Sequence, residues 1–381
     1  MSEALNLNEQ IAQTRQKKGR RAVSAAEMSP TRLMWLRFKR NKLAVIGIVV
    51  LIILYFLAIF SQPMAPYGAN QRSEYIYCPP NRIYFWGDDG FSLRPFVYGW
   101  ERSNDPDTLR RIFTEDRTQK YYLRFFVPGA EYRFWGLFRT DIHVLGVDEG
   151  GTLFVFGTDR LGRDLFSRIL LGASISLSVG LVGVALSFIL GAILGGISGY
   201  YGGQVDNLIQ RLTEFLIAIP TIPLWMALSA ALPPDWSVLK IYFGITIILS
   251  FQGWTNLARV VRGRFLQLRE EDFVVAAEVM GVSEHRIIFR HMLPTFISYL
   301  IVHLTLAIPT MILGETSLSF LGLGLRPPAV SWGVLLQEAQ NFRTVALHSW
   351  LLAPAFFVIL TVLAFNFVGD GLRDAADPYA T

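Results

Sequence analysis

Six stretches of this chain run long enough without a charged residue to cross a bilayer. A spanning helix needs about 20 mostly apolar residues. The first stretch, Leu43–Phe60, carries large aliphatic side chains on every face and reads as a peripheral, lipid-facing anchor. It starts too far into the chain and lacks the small-x-small cleavage site of a signal peptide. The second, Ile169–Val205, has 37 residues without a charge, too many for one crossing, so its helix is placed at Ile175–Gly199. Phe215–Leu232, Ile241–Ala258, Phe296–Gly314 and Trp350–Phe367 complete the set. Small residues recur four apart in the second stretch, at Gly183, Ser187, Gly191, Gly195 and Gly199. That spacing makes one smooth face where another backbone can approach, and predicts a helix buried in the bundle. Pro220 and Pro223 in the third span and Pro309 in the fifth remove backbone donors. Such kinks persist in lipid where a neighbour or water satisfies the freed carbonyls, either as fixed bends or as walls of a moving pathway.

Between the first two spans, Ser61 to Val155 alternates aromatic and β-branched clusters with turn residues. The clusters are Tyr75–Tyr77, Arg82–Trp86, Phe96–Tyr98, Tyr121–Val127, Tyr132–Trp135 and Leu153–Phe156. Pro79-Pro80, Gly87–Gly90, Pro128-Gly129 and Glu149–Gly151 punctuate them, with a helical turn expected after Asn104-Asp105-Pro106. The fold class is therefore an all-α integral membrane protein of six transmembrane helices, with a small β-rich outer insertion, residues 61–155, between the first two. Six crossings put both termini on one side. The short segments on the N-terminal side hold eighteen basic residues against three opposite, Lys240, Arg326 and Arg343, so both termini are expected in the cytoplasm. The long segment is left out of that count because long loops translocate regardless of charge.

Composition agrees with lipid as the solvent. Hydrophobic residues make up 52%, charged residues only 17%, and mean hydropathy is +0.37; a soluble domain averages about 25% charged. Cys78 is the only cysteine, which excludes an internal disulfide scaffold. The net charge of +5 does not describe a nucleic-acid surface, because residues 1–42 alone carry +7. That tail is expected to be disordered or to lie on the inner surface, touching anionic lipid through Lys17, Lys18, Arg20 and Arg21 or merely fixing orientation.

The chain holds no phosphate-cradling GxxxxGK[ST] loop, no His-Glu-x-x-His pair and no GxSxG elbow. No catalytic residue, metal ligand or cofactor site is expected. The informative stretch is the loop Arg259–Pro294. Phe273, Val274, Ala277 and Met280 fall at helical spacing, Gly281 breaks the run, and Ile287, Ile288 and Met292 begin another. Two short helices joined at a glycine would leave apolar surface that a cytosolic partner should cover. Two further candidates lie in the fifth span. His303, mid-span, is either a pathway group or a neutral ring hydrogen-bonded across helices. Glu315, at the outer end, either attracts an amine at the mouth of a pathway or caps the loop that follows. Asp159, Arg160, Arg163 and Asp164 are expected to pair on an interfacial turn before the second span.

Val275-Ala276-Ala277, with Gly281 four residues on and Arg290-His291-Met292-Leu293-Pro294 beyond, resembles the "EAA" loop of permease subunits in bacterial binding-protein-dependent ABC importers. Phe156–Asp164, Glu315–Gly324 and Asn366–Asp374 resemble further blocks of the dipeptide/oligopeptide branch, and of its C-type subunit in particular. The resemblance covers roughly 30–60 and 156–378, leaving the 61–155 insertion outside it. It implies a permease core in which the loop 259–294 forms a coupling helix seated in a groove of an ATP-binding subunit. Ala276, Ala277, Glu278, Gly281 and Pro294 are the coupling residues so implied. Val275 stands where that loop carries its glutamate, and Glu278, almost one turn away, is the candidate substitute. The implied partners are a second permease subunit, two cytoplasmic ATP-binding subunits that hold ATP and magnesium, an outer solute-binding protein and the bilayer of the inner membrane. The implied cargo is peptide, with oligosaccharide the alternative. An ion-driven carrier would instead need mid-span carboxylates, and no Asp or Glu lies mid-span. A membrane-anchored sensor would need an inner signalling domain, for which the tails 1–42 and 370–381 are too small.

Overall fold

The computed structural model describes residues 30–87, 90–104, 106 and 111–376. The basic tail at 1–29 and the turn expected after Asn104 lie outside the described residues. The helices are α1 (Pro30–Phe38), α2 (Lys42–Ile59), α3 (Leu165–Tyr201), α4 (Gly203–Ala218), α5 (Thr221–Ala230), α6 (Val238–Leu268), α7 (Asp272–Val279), α8 (Ile297–Phe320), α9 (Trp332–Leu336) and α10 (Ala353–Ala376), with shorter turns between. Among the described residues five helices are long and apolar enough to span a membrane, and α4 with α5 makes a sixth if taken together.

Local chemistry sets several of these ends. Asn41 caps α2 by accepting from Ala44 N–H at 3.2 Å, and Asp164 caps α3 by accepting from Ser167 N–H at 2.7 Å. The α3 helix stops at Gly202, whose φ of +66° an L side chain would resist. Both α6 and α10 run past their expected ends, at Ala258 and Phe367, so Arg259, Arg262 and Arg264 ride on a helix and not in a loop.

The small-residue stripe of α3 packs as expected, against α6. All five of its residues are buried. A Cβ added at Gly195 would lie 2.5 Å from the Ala258 carbonyl oxygen, and one at Gly199 2.6 Å from that of Arg262. Ser250 on α6 donates to the Gly183 carbonyl at 3.0 Å. By contrast α2 buries only Ala44, Gly47, Leu51, Leu54 and Ala58, one stripe laid against α10. Its remaining faces are apolar and exposed, which suits a helix at the rim of the bundle.

The third span departs from expectation. In place of one kinked helix over Phe215–Leu232, α4 and α5 meet at an 88° bend. Two prolines within four residues, Pro220 and Pro223, remove two helical donors, and Ile219, the residue before Pro220, turns to extended geometry.

The segment between α2 and α3 forms a four-stranded antiparallel meander: β1 (Tyr84–Gly87), β2 (Gly90–Asn104), β3 (Arg111–Phe134) and β4 (Phe138–Val147). Two corrections apply here. Pro128-Gly129 is no turn: it sits inside β3 as an irregularity of register between Pro128 and Tyr132. Tyr75–Tyr77 and Leu153–Phe156 are loop, not strand; Tyr77 has φ +56° and donates its N–H to Asp159 O.

Ahead of α3 the charges pair as a buried cluster. Asp159 accepts from Arg163 Nε at 2.7 Å and from Arg168, and Arg163 reaches Glu338 at 3.5 Å. Asp164 takes no ion pair among the described residues and serves as the helix cap. Full burial pushes its carboxyl up to about 7, and burial raises Glu338 as well.

Candidate functional site: an elbow and a broken span

The elbow begins where α6 ends. Its short helix α7 turns Val274 and Ala277 inward onto Val261 and Phe265 of α6, joined by Ile287, Met292 and Phe296. The same helix turns Phe273, Val275, Ala276, Val279 and Met280 outward. Val279 is 83% exposed and Met280 74%. The two alanines therefore part company: Ala277 is small so that α7 can lie on α6, and Ala276 belongs to the open face. Gly281 ends the helix with φ +72° and nothing near its missing side chain, so glycine serves the backbone there.

Glu278 also makes a contact within the chain. It is exposed, yet it accepts from Tyr200 Oη at 3.2 Å, while Tyr201 Oη donates to Glu284 at 2.7 Å. These bonds tie both sides of the glycine bend to the end of α3. Beyond the bend, Pro294 lacks the N–H that would reach the Arg290 carbonyl. The chain widens into a π-turn over Ile287–Met292, with Leu293 N–H bonded five residues back to Ile288, then tightens to a 3₁₀ turn before α8. Pro294 itself is exposed.

The broken span forms the second constellation. Pro220 and Pro223 leave the Leu216 and Ile219 carbonyls without their helical donors. Gln252 of α6 supplies both, its Nε2 donating at 2.8 Å to Leu216 O and 3.0 Å to Ile219 O. Sequence reasoning passed over Gln252; the signal available was a pair of amides, Gln252 and Asn256, in the apolar run Ile241–Ala258. Beside it lies a cavity of about 370 Å³ lined by Thr221, Trp225, Gln252, Asn256, His303 and Thr310. A larger one of about 780 Å³ runs between α6, α8 and α10, with His303, Tyr299, Arg264 and Arg373 on its walls.

His303 thus borders both cavities. Its half-buried ring stacks on Tyr299 with centroids 6.2 Å apart and has no hydrogen-bond partner among the described residues, so the cross-helix bond, one of its two readings, is not formed there. Glu315 lines neither cavity. It is wholly buried, accepting from Ser331 at 2.7 Å, Ser319 at 2.8 Å and Ser176 at 3.3 Å. Those serines cap in turn: Ser331 accepts from Val334 N–H and Ser319 from Leu325 N–H. Its geometry is that of a capping hub, with no face left open to an amine. Within the described residues no group of three His, Cys, Asp or Glu is arranged to hold a metal ion.

Residues 163–380 match the family described as "Binding-protein-dependent transport system inner membrane component". Residues 29–80 match the "N-terminal TM domain of oligopeptide transport permease C". The Dipeptide transport system permease protein DppC of Bacillus subtilis (strain 168) is 32% identical over 95% of this chain and 91% of its own length. The Oligopeptide transport system permease protein OppC of the same organism is 40% identical over 58% of this chain and 71% of its own. The Glutathione transport system permease protein GsiD of Escherichia coli O6:K15:H31 (strain 536 / UPEC) is 33% identical over 92% and 91%. The two family models take in α1, α2 and everything from α3 onward, and step over the sheet. With the elbow, the broken span and the packed α3–α6 pair all inside them, the chain belongs to the family of binding-protein-dependent transport system inner membrane components.

Proposed function

We propose that this chain is a translocation subunit of an ATP-driven peptide importer and that α7 with its glycine bend receives the push of a separate ATP-binding subunit. The observation that carries the reading is the open face of α7. Phe273, Val275, Val279 and Met280 form an apolar patch on a helix whose opposite face is already docked, and such a patch is stable only when covered. Ala276 lets a partner surface approach closely, Ala277 and Gly281 set the depth and bend of the elbow, and Pro294 sets its exit. Glu278 acts through Tyr200, passing displacement of the elbow to α3. ATP and magnesium belong to the partner subunits, and this chain contributes no catalytic group.

In this reading both termini and the elbow face the cytoplasm, and the sheet between α2 and α3 lies outside. A second permease subunit, two ATP-binding subunits and an outer solute-binding protein complete the machine. The relatives named for dipeptide, oligopeptide and glutathione transport support peptides as cargo. His303, bordering both cavities, is the candidate pathway residue.

The test is co-purification of the full chain with its co-expressed ATP-binding subunits. Val279→Asp combined with Met280→Asp should release those subunits while leaving the thermal unfolding of the chain itself unchanged. Full retention by that variant would overturn the assignment.

A further inference from the structure

The strands β3 and β4 meet in a hairpin whose tip reads Arg133-Phe134-Trp135-Gly136-Leu137-Phe138-Arg139. The register pairs Phe134 with Phe138 and Arg133 with Arg139, so an apolar tip is framed by two opposed guanidinium groups. Neither arginine has an ion-pair partner among the described residues. Glu131 and Asp141 come two residues further up their strands, away from the tip. Trp135 is 59% exposed, Leu137 73% and Phe138 67%, a cluster too apolar for a hairpin end standing in water.

The position of this tip matters more than its composition. Trp135 Nε1 donates at 3.1 Å to the carbonyl of Ile59, in the last turn of α2. Phe60 lies between, its ring 6.0 Å from that of Phe134 and 6.1 Å from that of Trp135. With 18 residues, α2 is about 27 Å long, close to the thickness of the hydrocarbon core. Its last turn therefore marks the boundary between hydrocarbon and headgroups, and the hairpin is fastened there. The exposed face of α2, with Ile52, Ile53, Phe56 and Ile59, runs without interruption into the exposed tip. Below Trp135 a cleft of about 520 Å³ is walled by Ala58, Ile59, Leu171, Leu177 and Leu181, which suit an acyl chain, with Ser61, Gln62, Ser174 and Ser178 as its polar part, which suits the headgroup boundary. Trp135 also holds φ at +50°, a conformation costly for a bulky residue and natural for Asn or Gly. The turn keeps tryptophan in spite of that cost.

We propose that the β3–β4 hairpin tip is a membrane anchor. Trp135, Leu137 and Phe138 enter the headgroup–acyl boundary beside α2, and Arg133 and Arg139 hold lipid phosphates on either side. Tryptophan suits that depth because its ring is apolar and its N–H needs a partner. The anchor fixes the tilt of the whole sheet relative to the bilayer at a point outside the bundle.

Nitroxide accessibility of the full-length protein in phosphatidylethanolamine/phosphatidylglycerol vesicles tests this. Cys78 is buried and is replaced by serine as background. A label at Leu137→Cys should collide readily with oxygen and several-fold less with a water-soluble nickel chelate than a label at Leu93→Cys. That reference lies on β2, which pairs with the other half of β3. The profile at 137 should approach that of Ile53→Cys on α2. Reversing both arginines, Arg133→Glu with Arg139→Glu, should raise nickel access at 137. Nickel access at 137 equal to that at 93 would place the tip in water and overturn the proposal. Shielding from oxygen and nickel alike would show a protein cover, and overturn it too. Indifference to the arginine reversal would remove the phosphate contacts.

Discussion

At Pro220 and at Pro294 the chain meets one chemical problem, a helix deprived of a donor, and answers it in two ways. At the first break a neighbouring helix supplies the missing bonds: Gln252 reaches across to the Leu216 and Ile219 carbonyls, and the bend is held from outside. At the second the chain adjusts itself, widening to a π-turn and then tightening, and needs no other helix. The first solution fixes an angle within the bundle. The second leaves a segment whose own bonds are local and whose outer face is uncovered. A proline break therefore tells little about mobility until the partner of each freed carbonyl is known.

The sharpest way to separate the two is to load the open face of the elbow. Val279→Asp should abolish ATP-driven uptake of a peptide while the unfolding temperature stays within a degree or so of wild type, since the side chain touches no core. Uptake assays on reconstituted complexes, with unfolding measured on the same preparation, check both halves. The broken span should behave oppositely. Gln252→Leu strands the Ile219 carbonyl and leaves that of Leu216 only the 3.3 Å bond from Ile219 N–H; it should cost about 1–3 kcal/mol, read as a lowered unfolding midpoint in detergent.

A pH scan distinguishes a third kind of cap from both. Because burial raises Asp164, its contribution to stability is complete below the ordinary value of 3.8 and lost as pH climbs through about 7. Asp164→Asn keeps the cap on Ser167 and removes that loss. Its unfolding midpoint should decline less than wild type across the window, with Glu338 supplying what slope remains. The smallest effect belongs to the elbow's tether. Tyr201→Phe removes one exposed hydrogen bond to Glu284 and should cost about 0.5–1.5 kcal/mol or less, with faster amide exchange at 283–286 as the local signature.

Much of this was legible before any coordinates. Lipid leaves few ways to satisfy a backbone, so uncharged runs translate directly into helices. The four-residue spacing on α3 announced a buried helix closely approached by another backbone, because only small side chains permit such contact; that the neighbour is α6 came from the structure. Other features were not legible, for physical reasons. Two prolines remove donors without setting an angle, and the 88° bend depends on an amide some thirty residues away that periodicity does not flag. The spacing of Phe273, Val274, Ala277 and Met280 gave a helix but not its rotation, since apolar residues lie nearly all round it. Only the docking of Val274 and Ala277 on Phe265 fixes which face is free. Glu315 left two readings open, mouth of a pathway or cap, and the three serines that decide for the cap come from α3, α8 and the turn before α9, far apart in sequence. Tyr75–Tyr77 has the composition of a strand, but its backbone groups bond to the Thr158-Asp159 turn and not to the sheet.

The interlock of α3 with α6 has one more consequence. Where carbonyls nearly touch the glycines opposite, the two rods cannot slide: a step of one residue would drive Leu190 and Leu194, or Phe188 and Tyr200, toward main chain. They must travel as a single plank, and any rocking that opens one mouth and shuts the other has to be taken up at its margins, in α5 and α8.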